Sequence, residues 1–133
     1  MNSIEDMNLP FPLPPFLELL GIRVLQINDG CSKLIMPFHE KLTQPYGYIH
    51  GGALFTIADA AAAYAVWSIV DKNKMFVTVE MKINFIEPVR EGTVICDATV
   101  LRKGKIIPVE VDVKVADTHC AKCISTYYVF DKR

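Results

Sequence analysis

Two spacings of apolar and polar positions divide this chain. From Ile22 to Asn28 and from Cys31 to Pro37 the two kinds alternate, with Asp29-Gly30 between the runs. Alternation marks a strand with one buried face, and Asp-Gly between two such runs marks a hairpin turn. Four more alternating runs follow later: Met75–Phe85, Thr93–Leu101, Ile106–Ala116 and Ala121–Phe130. Glu91-Gly92, Lys103-Gly104 and Asp117-Thr118 fall where these runs need turns. Between the early pair and the late four lies Gly51–Val70, rich in alanine and free of proline, which reads as the one long helix. Phe16–Leu20 suits a short helix that Gly21 ends, and 38–49 reads as loop from Pro45 and Gly47. Pro10, Pro12, Pro14 and Pro15 predict an extended arm over 1–15, leaving 16–133 as a single domain. Strand, strand, helix, then four strands is an α+β arrangement, a long central helix against a large antiparallel sheet.

The long helix is apolar nearly all round. Such a helix must be covered on most sides, and one curved sheet covers only one of them. A second copy of the chain is the economical cover for the rest, and sheet edges also need pairing. The expected assembly is a homodimer or a homotetramer built from two dimers.

Composition narrows the class. The chain has 133 residues, 51% of them hydrophobic, with a net charge of −1. That is enough to bury a core, and too little positive charge for a chain that grips nucleic acid. Glu5 and Asp6 near the start, followed by prolines, do not resemble a secretory signal. Ala53–Val70 approaches the length of a membrane span, but Asp59 sits near its middle, so it reads as a core helix and no membrane partner is expected. The cysteines are Cys31, Cys96, Cys120 and Cys123, and the expected location is the reducing cytoplasm. Cys120-Ala-Lys-Cys123 lies in a predicted strand, where positions three apart face opposite sides, and no second pair completes a zinc site. These cysteines read as structural, and no metal or other cofactor is expected.

The stretch that carries chemistry is Gln44-Pro-Tyr-Gly-Tyr-Ile-His-Gly-Gly-Ala-Leu-Phe-Thr-Ile-Ala-Asp59. Gly51 and Gly52 sit where the helix starts. The first N–H groups of a helix lack internal partners and carry partial positive charge, so bare glycine backbone there can receive a ligand oxygen. The same glycines also suit tight packing of the helix start, and the local pattern leaves both readings open. Asp59 follows Gly52 by seven residues, nearly the same helical face, inside an otherwise apolar helix. A carboxylate in such surroundings is costly unless paired or used. Gly51 and Asp59 are about 12 Å apart along the axis at about 1.5 Å per residue. One chain therefore does not bring both to one carbonyl, and the spacing predicts a site with Gly51 from one subunit and Asp59 from another. His50, just before the glycines, suits an acid, a base, an orienting residue or a residue that fixes the loop through a backbone hydrogen bond, and the orienting role is the expectation.

This pattern, with His-Gly-Gly and an aspartate eight residues after the first glycine, resembles the hotdog-fold acyl-CoA thioesterases of the PaaI type. The resemblance covers Pro15 to Phe130 and includes Val77-Thr78-Val79-Glu80-Met81-Lys82-Ile83-Asn84-Phe85-Ile86-Glu87-Pro88 and Leu101-Arg102-Lys103-Gly104-Lys105. It implies a hotdog fold and hydrolysis of an acyl-CoA to a free acid and coenzyme A. By position it makes Asp59 the general base or nucleophile, Gly51 the donor to the thioester carbonyl and His50 an orienting residue. Thr78 matches a hydroxyl that helps place water. Gln44 stands where asparagine is usual, keeping the amide but one methylene longer. Coenzyme A brings phosphates, for which Arg90, Arg102, Lys103 and Lys105, with Gly104 in the turn, are candidate partners; solvated turn cations are the plain alternative. Gly52 and Phe55 are placed with the substrate, and Phe55, Tyr64 and Trp67 are candidates for an acyl wall or for plain core. Two other functions fit the same chain: a non-catalytic acyl-CoA binding module, and a hotdog dehydratase or hydratase.

Overall fold

The computed structural model describes residues 13–132, so most of the expected arm lies outside the described residues. Pro14 is extended, with φ −56° and ψ 141°, but Pro15 opens a short helix, α1 (Pro15–Leu19). The arm boundary is corrected accordingly. At the first helical position proline lacks only an N–H that would have no partner there, and its fixed φ already suits the helix.

The remaining elements follow the hydrophobic spacing closely. They are β1 (Arg23–Asn28), β2 (Cys31–Pro37), α2 (Gly51–Trp67), β3 (Lys74–Phe85), β4 (Thr93–Val100), β5 (Ile106–Val115) and β6 (Thr118–Asp131). The loop at 38–49 contains one short 3-10 turn, Glu40–Leu42. The strands form one six-stranded antiparallel sheet in the order β1-β2-β4-β5-β6-β3, curved around α2 in the hotdog arrangement. Asp29 and Gly30 close the first hairpin with φ of 47° and 85°, the left-handed pair that a tight two-residue turn demands. The last hairpin turns on Ala116 and Asp117, one position before the predicted pair, because Val115 is already opposite Thr118. The helix stops at Trp67, three residues short of Val70. There the Ser68 hydroxyl turns back to the Ala65 carbonyl at 2.7 Å and accepts the Gly30 N–H at 2.7 Å, tying the helix end to the β1–β2 turn.

The core lies between α2 and the concave face of the sheet. Ile57, Ala58, Ala61, Ala62 and Ala65 are fully buried against Leu34, Met36, Val94, Val109, Val111 and Val113. Small side chains on this face let the helix axis come close to the sheet, and the Ser32 hydroxyl reaches the Ala61 carbonyl at 2.5 Å. Ile57 is the largest fully buried side chain of α2, and truncating such a residue to alanine costs about 2–5 kcal/mol. Among the described residues one ridge of α2 remains uncovered: Gly52, Phe55, Thr56, Asp59, Ala63 and Trp67 are all at least partly exposed, at spacings of three and four. Tyr64 is buried at 3% exposure and belongs to the core. Strand β3 is a sheet edge and carries Met75, Val77, Val79 and Phe85 exposed.

The expectation that Cys120 and Cys123 face opposite sides is overturned. Between Val113 and Lys114 the β5–β6 register slips, so Cys120 is an extra residue on β6 and both thiols are buried. Burial, with nearby acidic groups, raises the Cys96 and Cys120 thiols and pushes Cys123 up to about 12 from its ordinary 9.0. A thiol that ionises less readily folded than unfolded contributes stability below its unfolded value and loses it above. The thermal midpoint should therefore fall progressively as pH rises from about 9 to 12. In the native protein near neutral pH, exposed Cys31 should be the one thiol that reacts with an aromatic disulfide reagent, the other three reacting only on unfolding.

Candidate active site

The loop before α2 is built by its own side chains. Gln44 folds back so that its Oε1 accepts the Tyr46 N–H at 2.5 Å and the Tyr48 N–H at 3.3 Å, and its main chain pairs with Tyr48. Ile49 N–H reaches the Val89 carbonyl at 2.7 Å, and Arg90 both donates to the Tyr48 hydroxyl and lies over its ring, 4.8 Å from the centroid. The loop therefore enters the helix at a fixed angle. His50 is the N-cap: it is extended, and its Nδ1 accepts the Gly52 N–H at 2.8 Å. A β-carbon at Gly52 would stand 3.0 Å from that nitrogen, so glycine here admits the imidazole. The Gly52 N–H is thus already used within the helix start, while the residue itself is exposed. The Gly51 N–H has no acceptor among the described residues, and the Phe85 ring packs against Gly51 so closely that a β-carbon would meet it at 3.1 Å.

Asp59 lies two turns further on, on the uncovered ridge. Its Oδ1 accepts from the Thr78 hydroxyl at 2.9 Å and from the Tyr127 hydroxyl at 2.6 Å, and Tyr127 also stands 2.9 Å from the Asp59 carbonyl oxygen. Thr78 and Tyr127 are directly opposite on β3 and β6. Plain alternation would not put Thr78 there. Met81, Ile83 and Phe85 pair with the inward residues Ser125, Cys123 and Ala121, so counting back by two places 79 and 77 inward and 78 outward. Val79 is instead an extra residue between Thr78 and Glu80, a bulge that turns Thr78 toward Asp59 and leaves Glu80 outside with Thr126. Tyr127 is only 1% exposed, and its ring meets Phe76 edge-on. Burial, then the charge of Asp59, raises its phenol, so it stays a proton donor.

The structure thus forms two half-sites at separate points along α2. One holds Gln44, His50 and Gly51, the other Asp59 and Thr78, with Phe55 (40% exposed) between them on the ridge. Gln44 and Asp59 share no hydrogen bond, and the Gln44 Oε1 is taken by the loop amides. Arg90 is engaged with Tyr48 near the start of α2 and stays exposed. The Lys103-Gly104-Lys105 turn lines a cleft of about 510 Å³ with Lys74, Tyr128 and Phe130, beyond the other end of α2, while Arg102 is exposed nearby. Lys105 covers the Tyr128 ring at 5.4 Å, and Lys74 pairs with Asp131. Tyr127 is the site residue that sequence reasoning missed. It sits in an apolar alternation where one more aromatic signals only core. Among the described residues no helix is long and apolar enough to cross a membrane.

A curved sheet around one helix, with a held carboxylate on the bare ridge and a glycine N–H at the helix start, defines a thioester-hydrolase type of domain. Residues 46–123 match the thioesterase superfamily, and the chain belongs to that family of hydrolases. It is 36% identical over 133 residues to a Saccharolobus solfataricus protein with a provisional esterase name, covering 98% of this chain and 87% of that one. A 1,4-dihydroxy-2-naphthoyl-CoA hydrolase of Listeria monocytogenes is 28% identical, with 81% of this chain and 88% of that protein covered. A solved structure of a conserved Pseudomonas aeruginosa protein superposes with a TM-score of 0.86 at 33% identity, covering 89% and 95% of the two chains.

Arg90 is exposed, so its stacking on Tyr48 is worth only about 0.5–1 kcal/mol. Arg90→Ala should change unfolding stability by no more than that. Hydrogen exchange at the Tyr48 and Ile49 amides should nevertheless accelerate, because the clamp on the loop is lost.

Proposed function

We propose that this chain hydrolyses acyl-CoA thioesters, as a homodimer in which Gly51 of one subunit and Asp59 of the other serve the same thioester. The observation that carries the reading is the Asp59 carboxylate: held by two hydroxyls yet open on the uncovered ridge of α2. Gly51 offers a free N–H at the positive end of a 17-residue helix, suited to the oxygen that gains charge when the carbonyl is attacked. The two lie about 12 Å apart along the axis at about 1.5 Å per residue, too far for one chain to apply both to one carbon. A second copy packed on the bare ridge and on the apolar edge strand β3 closes that gap and covers both surfaces.

Asp59 takes a proton from water as the water adds to the carbonyl carbon. Thr78, whose proton goes to Oδ1, keeps lone pairs to steady that water. The tetrahedral oxyanion is met by the Gly51 N–H and then collapses, expelling the thiolate of coenzyme A. His50 works through Gly52, fixing the first helical turn so that the Gly51 N–H points outward. Lys103, Lys105 and Lys74 around their cleft supply cations for the coenzyme A phosphates. Lys74 is about 13 Å along β3 from Thr78 at about 3.3 Å per residue, a span the pantetheine arm can bridge. The acyl-CoA substrate of the Listeria monocytogenes relative supports this reading.

Thiol release from a panel of acyl-CoAs tests it, with Asp59→Asn beside wild type. Turnover should fall by about 10²–10⁴-fold in the variant, and no release by wild type from any acyl-CoA would favour the non-catalytic binder. Mixing Asp59→Ala chains with chains carrying an inactivating Gly51 substitution should restore part of the activity in heterodimers, whereas a site contained in one chain would show no recovery.

A further inference from the structure

We infer that Tyr127 is the positioning residue of Asp59, dividing the labour between the two carboxylate oxygens. The inference rests on Asp59 being the reacting carboxylate. Oδ1 receives the hydroxyls of both Thr78 and Tyr127, at 2.9 and 2.6 Å, whereas Oδ2 has no hydrogen-bond partner among the described residues. A carboxylate rotates about its last bond, so two equivalent oxygens would otherwise exchange. Two donors from two different strands, aimed at one oxygen, stop that rotation and leave Oδ2 as the atom that meets water.

Tyr127 is the firmer of the two holds. Thr78 sits on an exposed edge strand beside a bulge. Tyr127 is on β6, flanked by β5 and β3, and is almost fully buried. Its hydroxyl also lies within hydrogen-bonding distance of the Asp59 main-chain oxygen, so one group anchors both the side chain and the helical turn that carries it. A phenol is rigid beyond its two torsions, so the hydroxyl is placed by the packing of the ring against Phe76 rather than by its own flexibility.

The test is Tyr127→Phe, which keeps the ring and removes the hydroxyl. Turnover per folded subunit should fall about 10- to 100-fold, as expected for a reacting atom displaced by a fraction of an ångström to an ångström, with KM unchanged. In an Asp59→Asn background the same substitution should leave the residual rate unaltered, since Tyr127 acts only through Asp59. A readout independent of turnover is the Tyr127 hydroxyl proton in the NMR spectrum of the whole protein. It should exchange slowly in wild type and move upfield in Asp59→Ala. If Tyr127→Phe does not fold, 3,5-difluorotyrosine placed at position 127 keeps the shape and strengthens the donor, and should move that resonance downfield. Wild-type turnover in Tyr127→Phe, a loss carried by KM, or a rapidly exchanging hydroxyl in wild type would each overturn the assignment while leaving Asp59 as the reacting group. Full activity in Asp59→Asn would overturn both.

Discussion

The close approach of α2 to the sheet is the constraint on which everything else depends. A helix can lie this near a curved sheet only if much of its inner face is small, and alanines at 58, 61, 62 and 65 meet that need between the larger buried side chains of Leu54, Ile57 and Val66. The closeness brings hydroxyls on the sheet within bonding distance of atoms on the helix. Ser32 reaches a helix carbonyl, and Thr78 and Tyr127 reach Asp59. A bulkier inner face would lift α2 and break these bonds together. The outer ridge has the opposite character: Phe55 and Trp67 flank Asp59 there, and both are at least partly exposed among the described residues.

The start of the helix is organised by a different logic, that of using up polar groups. Gln44 is spent on Tyr46 and Tyr48, Arg90 on Tyr48, and the His50 ring on Gly52. These pairings leave the N–H of Gly51 as a backbone donor without an acceptor among the described residues. An aliphatic β-carbon at position 52 would push the imidazole away, and one at 51 would meet the Phe85 ring, so both glycines answer to packing as well as to chemistry.

Most of the fold was legible because its elements are long and their spacing is regular. Strand β2 begins and ends where the alternation does, and α2 begins at the predicted glycine. The misses share a cause: local events that break the alternation without changing its appearance. Val79 and Cys120 are single extra residues, each swallowed by a run that still looks alternating, and each reverses which face the neighbouring side chains occupy. Thr78 could be placed at the site by resemblance but not by counting. Tyr127 could not be placed by either route, because an inward aromatic on a strand carries no sign that its hydroxyl has a partner until the helix above it is positioned. The two glycines were seen as one motif, and only the imidazole geometry separates their roles.

The location of Thr78 has a consequence for how this protein fails. Among the described residues β3 is hydrogen-bonded on one side only, by β6, and an edge strand opens at lower free energy than the interior of its sheet. When β3 frays, the carboxylate loses one of its two holds while β1, β2, β4, β5 and α2 remain packed. Opening of β3 and denaturation of the whole domain are therefore distinct events in this chain, with the first preceding the second. The margin between them is set by whatever lies along the outer side of β3.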